Sequence, residues 1–312
     1  MAEPTNLKVI STIQFNTEWD FRQGNFSLLK CETYYMAVIR LCNLYTTDIG
    51  HYRCPPASQV PYKTANVVLK LDLNFKPISI PITFFDKSIT SAFHIEDIRL
   101  FRYKGEVWGS FAVRPLNTIA FTMGFACLSG ILQGKQVTTI YLVKPFNFGS
   151  QLLTWNAGKE ASVFPTNYGI WEKNWMPIDF FPDTMTFVYN VSPLILVTVF
   201  PEENRLVYSQ NPIRGELRGS SQFIRWKQGW LGVVHKTIWQ SNTLRDYEHQ
   251  LIYMTEDDQR TSPPFTMLNP TVEFVNCILP GKDDKSILVC LGECDEYSRI
   301  VELRLVDIWP DF

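Results

Sequence analysis

Long hydrophobic runs are scarce in this sequence. The longest strongly apolar stretch, Leu194 to Phe200, falls well short of the ~20 residues a membrane-spanning helix needs. No membrane partner is expected. Residues 1–6 carry neither a basic nor an apolar signal-peptide region, so a soluble, cytoplasmic protein is expected. Charge of one sign is also missing. The formal net charge is −2 and no basic run stands out, which gives no global pull towards nucleic acid. The seven cysteines are odd in number and lack CxxC spacing, so neither a disulfide framework nor a zinc site is predicted. Cys31, Cys42, Cys127, Cys277 and Cys290 lie in apolar, strand-like contexts and read as buried free thiols. Asn25-Phe26-Ser27 and Asn190-Val191-Ser192 match the glycosylation sequon, which has no role without secretion.

Long amphipathic helical patterns with period 3.6 are absent too. What remains is strand. Tyr35 to Ile39, Val107 to Val113 and Trp230 to Val234 are short and rich in β-branched and aromatic residues. Gly, Pro, Asn or Asp bound them. At 312 residues the chain exceeds the ~250–300 that one hydrophobic core organises. It must divide into two domains or into many small cores.

A weak internal repeat decides between these. A polar cluster and a short strand lead through a turn into a second, apolar strand. Asn25-Phe26-Ser27 leads into Tyr35 to Arg40. Glu96-Asp97-Ile98-Arg99 leads through Lys104-Gly105 into Val107 to Val113. Glu172-Lys173-Asn174-Trp175 leads into Thr186 to Tyr189, and Arg218-Gly219-Ser220-Ser221-Gln222 into Trp230 to His235. A divergent fifth unit runs from Thr271-Val272-Glu273-Phe274 to Ile287–Leu291. Five such units predict an all-β fold, a single five-bladed β-propeller domain over residues 1–312. Each blade packs only on its neighbours. The strand Leu7 to Phe15 is expected to complete the last blade and close the ring. The competing architecture is a pair of β-sandwiches.

In a propeller the polar clusters converge on one axial pocket. Asn25, Arg40, Glu96, Asp97, Arg99, Lys173, Asn174, Arg218, Gln222, His235, Arg245 and Tyr247 are its candidate binding residues. Carboxylates, amides and guanidiniums suit a polyhydroxylated ligand, whose hydroxyls both donate and accept. Inter-blade ion pairs are the plainer reading of each charge. Of Trp175, Trp226, Trp230 and Trp239, the first is the preferred sugar-stacking platform, because it follows a pocket cluster directly. His235 and His249 match no standard metal-ligand spacing and read as pocket or core histidines; no metal is predicted.

Glu96-Asp97-Ile98-Arg99-Leu100-Phe101 resembles the Glu-Asp-Pro-Arg signature of glycoside hydrolase family 130, the mannoside phosphorylases and hydrolases. A related family of mannosyltransferases and phosphorylases shares that propeller. The resemblance extends from about Asn25 onwards through short motifs, one per blade, with Ile98 in place of proline. It implies a carbohydrate-active enzyme with Asp97 as general acid. Glu172 or Asp295 is the second carboxylate, set across the pocket at the ~6.5–9.5 Å that admits a water. Glu96 is expected to point away from Asp97, because successive strand residues face opposite sides. No cofactor is implied. Inorganic phosphate or a nucleotide sugar as co-substrate would draw on Arg40, Arg99, Lys173, Arg218, Arg245 and His235. The alternative is a non-catalytic propeller that binds glycans or another protein.

Overall fold

The computed structural model describes residues 7–16, 21–43, 45–46, 52–53, 64–116, 121–143, 152–157, 173–179, 183–210, 215–240, 245–268 and 272–310. Their strands form five larger antiparallel sheets, each one blade of a five-bladed β-propeller, and a separate two-stranded sheet of Tyr45–Thr46 with Tyr52–Arg53. From the inside outwards, the first blade is Arg22–Lys30, Tyr35–Cys42, Thr64–Leu71 and Ile82–Thr83. The second is Phe93–Tyr103, Glu106–Pro115, Thr122–Cys127, Thr139–Val143 and Leu152–Asn156. The third is Met176–Ile178, Met185–Val191, Leu194–Phe200 and Arg205–Tyr208. The fourth has an inner strand in two pieces, Arg218–Gly219 and Ile224–Trp226, then Gly229–Trp239, Arg245–Met254 and Gln259–Thr261. The fifth is Glu273–Pro280, Ser286–Glu293, Tyr297–Arg304 and, outermost, Lys8–Ile13.

The chain's first strand therefore closes the ring as expected. It pairs from Lys8↔Glu302 to Ile13↔Ser298 and covers an edge that would otherwise lie open. The Lys104-Gly105 turn also forms as expected. Both residues have positive φ, 50° and 78°, the backbone that suits a two-residue hairpin to the strand twist.

The apolar side chains collect into five large clusters, one at each blade–blade junction. Strand periodicity feeds them. Met36 and Val38 point to the second blade, while Tyr35, Ala37, Ile39 and Leu41 point to the fifth. A strand sandwiched between blades is buried on both faces, so Tyr35–Cys42 is apolar almost throughout. Arg40 is in phase with Met36 and Val38 and is thereby aimed at the second blade. Arg99 is in phase with Phe101 and Tyr103, which pack towards the third. The period of the strand has fixed which junction each buried charge enters.

One expectation about surface chemistry changes. Cys127 is exposed and Cys31 half-buried, while Cys42, Cys277 and Cys290 are buried free thiols. Cys127 ends its strand at the blade margin. Both sequon asparagines, Asn25 and Asn190, are buried, which removes them as acceptors in the folded state. Among the described residues no helix is long and apolar enough to cross a membrane.

Candidate functional site

Four of the five inner strands break their regular pairing near the start. Register shifts fall between Gln23 and Phe26, between Glu96 and Arg99, and between Val275 and Cys277. The fourth blade's inner strand is interrupted at Ser220–Phe223, and Asn174 precedes the third blade's with φ 70°. Such bulges re-aim side chains. Asp97 at the second break has φ 56°, a left-handed conformation that Asp and Asn tolerate best.

Here the alternation that should separate Glu96 from Asp97 fails. Both carboxylates meet Arg40. Its Nη1 lies 3.3 Å from Asp97 Oδ1 and 3.5 Å from Glu96 Oε2. Its Nη2 donates to Asp295 Oδ1 at 2.7 Å. Asn25 Nδ2 donates to Asp97 Oδ1, also at 2.7 Å. Two blades, the second and the fifth, thus place three carboxyls around one guanidinium from the first. Asp97 and Asp295 were expected to face each other across a water. They hang instead on the two arms of Arg40.

The environment pushes the neighbouring carboxyls in opposite directions. Burial raises the Glu96 carboxyl; Lys173 and Arg40 oppose this, while Asp97 and Asp295 add to it, and the net shift is upward. Burial also acts to raise Asp97, but Arg40, Lys173, Arg99 and the Asn25 amide outweigh it and hold that carboxyl below the usual range. Glu96 is also the more open of the two, with 12% of its side chain exposed against 5% for Asp97. A general acid has to hold a proton at working pH. Of the two carboxyls it is Glu96 whose pKa moves in that direction.

Arg99 is fully buried and is no ligand contact. Its guanidinium donates from Nε to the Ser220 carbonyl at 2.5 Å and from Nη1 to the Asp97 carbonyl at 3.0 Å. A longer contact, 3.4 Å, runs from Nη2 to Asn174 Oδ1. It binds the second, third and fourth blades together and clamps the strained Asp97 backbone. Burial depresses its pKa to about 10, with Asp97 acting in the other direction, so it stays charged at neutral pH. Gln222 is a tether too. Its amide donates to the Ile278 carbonyl at 2.8 Å and accepts from the Ile278 N–H at 3.3 Å, linking the fourth blade to the fifth.

Four buried polar residues that were not among the candidate binding residues complete the frame. Asn276 Nδ2 donates to the Ile98 carbonyl at 2.7 Å and Asn66 Nδ2 to the Ile95 carbonyl at 3.0 Å. The Leu100 N–H donates to Ser27 Oγ at 3.0 Å. Ser220 Oγ lies 2.7 Å from His235 Nδ1. The first three satisfy backbone groups around the bulge, where an unpaired buried group costs about 1–3 kcal/mol. A single polar residue within an apolar strand, such as Asn276 in Val275-Asn276-Cys277, was the available signal.

His235 stands edge-on to Tyr247 and Phe274, each 5.2 Å away. Burial, then His249 and nearby cations, hold it well below the normal histidine range and hence neutral. His249 is buried 3.6 Å from Glu273, whose carboxylate accepts from the Met267 and Leu268 N–H groups. Among the described residues no group of three or more His, Cys, Asp or Glu is placed to hold a metal ion.

Lys173 is half-buried, with its ammonium 4.8 Å from the Phe121 ring centre. Arg218 is exposed opposite His235 in the strand register. Glu172 lies outside the described residues, as does the Arg245 side chain. Trp175 is 1% exposed, packed among Phe125, Phe187, Tyr189 and Tyr208. It is blade core and offers no face to a sugar. Trp175→Ala is therefore expected to lower the unfolding free energy by about 3–5 kcal/mol, measured by denaturant titration. A loss of ligand affinity at unchanged stability would restore its binding role. Trp226 and Trp230 are likewise buried, while Trp239 is 61% exposed.

No family model and no curated protein matches the sequence. Solved structures do match in fold. A glycosyl hydrolase from Bacteroides ovatus superposes with a TM-score of 0.55 at 8% identity, over 91% of this chain and 84% of that one. A putative glycoside hydrolase from the same organism gives 0.52 at 11% identity, over 92% and 88%. At these identities the likeness is one of fold.

Proposed function

We propose that this propeller binds a carbohydrate at the Arg40–Glu96–Asp97–Asp295 cluster and breaks or transfers a glycosidic bond there. The observation that carries the reading is the convergence of Glu96, Asp97 and Asp295 on Arg40, at 3.5, 3.3 and 2.7 Å, with one of the adjacent carboxyls pushed up and the other held down. Pairs of titratable groups driven apart in this way mark acid and base assignments. Glu96 donates the proton to the leaving glycosidic oxygen. Asp97 stays anionic and holds Arg40. Asp295, 11% exposed at its side chain, receives the incoming hydroxyl or water. The fold likeness to proteins described as glycoside hydrolases supports this class, although one fold hosts many functions.

Water is the favoured nucleophile. Arg40 and Arg99 are engaged inside the protein, and a phosphate or nucleotide sugar would have to meet Lys173 and Arg218. One observation favours the non-catalytic alternative. Asp97 is held in a buried ion pair, as a purely structural carboxylate would be. The test incubates the protein with 4-nitrophenyl α- and β-glycosides of mannose, glucose, galactose and xylose, alongside thermal-shift measurements with the free sugars. Released nitrophenol supports the enzyme, and an unactivated disaccharide, whose leaving oxygen needs the proton, should lose its turnover in Glu96→Gln. A thermal shift without product supports a binding protein; a ligand at 100 times its dissociation constant adds ~2.7 kcal/mol. Neither response to any sugar removes the reading.

A further inference from the structure

Two thiols with no part in the axial cluster face each other in the fifth blade. Cys277 and Cys290 are direct partners in the antiparallel register of its two innermost strands. Both side chains pack into the cluster at the junction with the first blade, because opposed residues of an antiparallel pair share a face of the sheet. Opposed Cα atoms stand about 4.5–5.5 Å apart, inside the ~4.4–6.8 Å that a disulfide spans. Both residues are free thiols.

The two sulfurs are not equivalent. Cys277 sits in a polar shell. Its Sγ accepts from Gln222 Nε2 at 3.3 Å and from the Leu28 N–H at 3.4 Å, and donates to the Leu28 carbonyl at 3.4 Å. Burial acts to raise this thiol, but hydrogen bonds with Cys290, Leu28, Gln222 and Ser27 outweigh it, and the net shift is downward. Burial, with Cys277 beside it, pushes the Cys290 thiol well up. The pair thus combines a thiol disposed to ionise with a protonated neighbour that can resolve its oxidised form. The contact also reaches the axial strand. Cys277 follows Asn276, which donates to the Ile98 carbonyl, and Leu28 follows Ser27, which accepts from the Leu100 N–H. The thiol–Leu28 contact therefore links the two hydrogen bonds that fix the backbone beside Asp97.

We infer that Cys277 and Cys290 form a peroxide-sensitive pair whose oxidation to a disulfide loosens the bulge at Asp97. The Cys277 thiolate attacks one oxygen of hydrogen peroxide and the O–O bond breaks. The sulfur becomes a sulfenic acid, and the departing hydroxide takes the thiol's proton and leaves as water. Cys290 then attacks that sulfur, the S–OH bond breaks, and the hydroxyl leaves with the Cys290 proton as a second water. Each sulfur gives up one electron and the peroxide takes both. The disulfide has no proton to donate to the Leu28 carbonyl, and the Cys277 sulfur is drawn away from Gln222 towards Cys290. Both thiols are buried, so peroxide reaches them through local opening of the junction.

The folded protein would be treated with hydrogen peroxide, then denatured, alkylated and digested for mass spectrometry. Cys277 and Cys290 are expected to escape alkylation in one cross-linked pair of peptides, and dithiothreitol should restore both. Cys290→Ser should stop at the sulfenic acid, trapped at Cys277 by dimedone, and Cys277→Ser should give neither product. Hydrogen exchange of the strand Phe93–Tyr103 should quicken about fivefold in the cross-linked protein, the factor that one lost hydrogen bond is worth, and slow again on reduction. Peroxide treatment that leaves Cys277 and Cys290 unlinked overturns the inference. So does a Cys277–Cys290 link with exchange of that strand unchanged.

Discussion

Glu96→Gln is expected to lower turnover by about 10²–10⁴-fold, the usual contribution of a positioned general acid. The amide keeps the shape of the side chain and loses the transferable proton. Stability should move the other way. The folded-state pKa of Glu96 is raised, chiefly by burial, so the folded protein holds that proton more tightly than the unfolded chain. Ionising it costs stability as pH rises from the unfolded value of ~4.3 through the higher folded value. At any pH above the unfolded value the wild type bears a cost of this origin and the amide does not. Thermal unfolding of Glu96→Gln should therefore lie above wild type at pH 7 and converge with it at low pH. A variant that loses activity and gains pH-dependent stability identifies a strained functional acid. A variant of unchanged activity, or one destabilised equally at every pH, removes Glu96 from that role.

Arg40→Met is expected to cost about 3–5 kcal/mol at neutral pH, the loss typical of a buried pair with one partner removed. The side chain is 6% exposed and faces three carboxyls, so its removal leaves buried negative charge uncompensated. Asp97 in the wild type is held below its ordinary value. It contributes stability above the unfolded value of ~3.9, which is lost as pH falls through the folded one. Without Arg40 that contribution goes, and the variant's deficit should shrink towards pH 4 as the carboxyls take up protons. Denaturant unfolding at pH 7 and pH 4 measures both figures. Arg40→Lys retains the charge and loses the two-armed fork, so it should fall between wild type and Arg40→Met. A loss below 1 kcal/mol at pH 7, as exposed pairs give, would mean that the cluster is not held by this guanidinium.

The architecture was legible because it is written in periodicity. Five polar-then-apolar units, the Lys104-Gly105 hairpin and the closing first strand all follow from local pattern. The site was only half legible. Asn25, Arg40, Glu96, Asp97 and Asp295 do come together. The roles within the group depend on a bulge that no period-2 argument contains. With Glu96 and Asp97 on opposite faces, Asp97 is the natural acid. With the backbone reversed at Asp97, the two share Arg40 and their protonation diverges. Arg99 and Trp175 were misplaced for a related reason. Adjacency to a pocket motif in the sequence says little about which junction a strand residue enters. Phase relative to Phe101 and Tyr103 settles it for Arg99, and packing against Phe125 and Phe187 for Trp175. Asn66 and Asn276 lie far from the motif in sequence, and only the closed ring brings their amides to the Ile95 and Ile98 carbonyls.

The most direct test is a crystal structure of Glu96→Gln grown with the sugar that gives the largest thermal shift. The account predicts a sugar ring against Arg40 and Asp295, with its glycosidic oxygen within hydrogen-bond reach of the residue 96 amide. A sugar bound elsewhere on the ring, with the Arg40 cluster closed and unchanged, would contradict it.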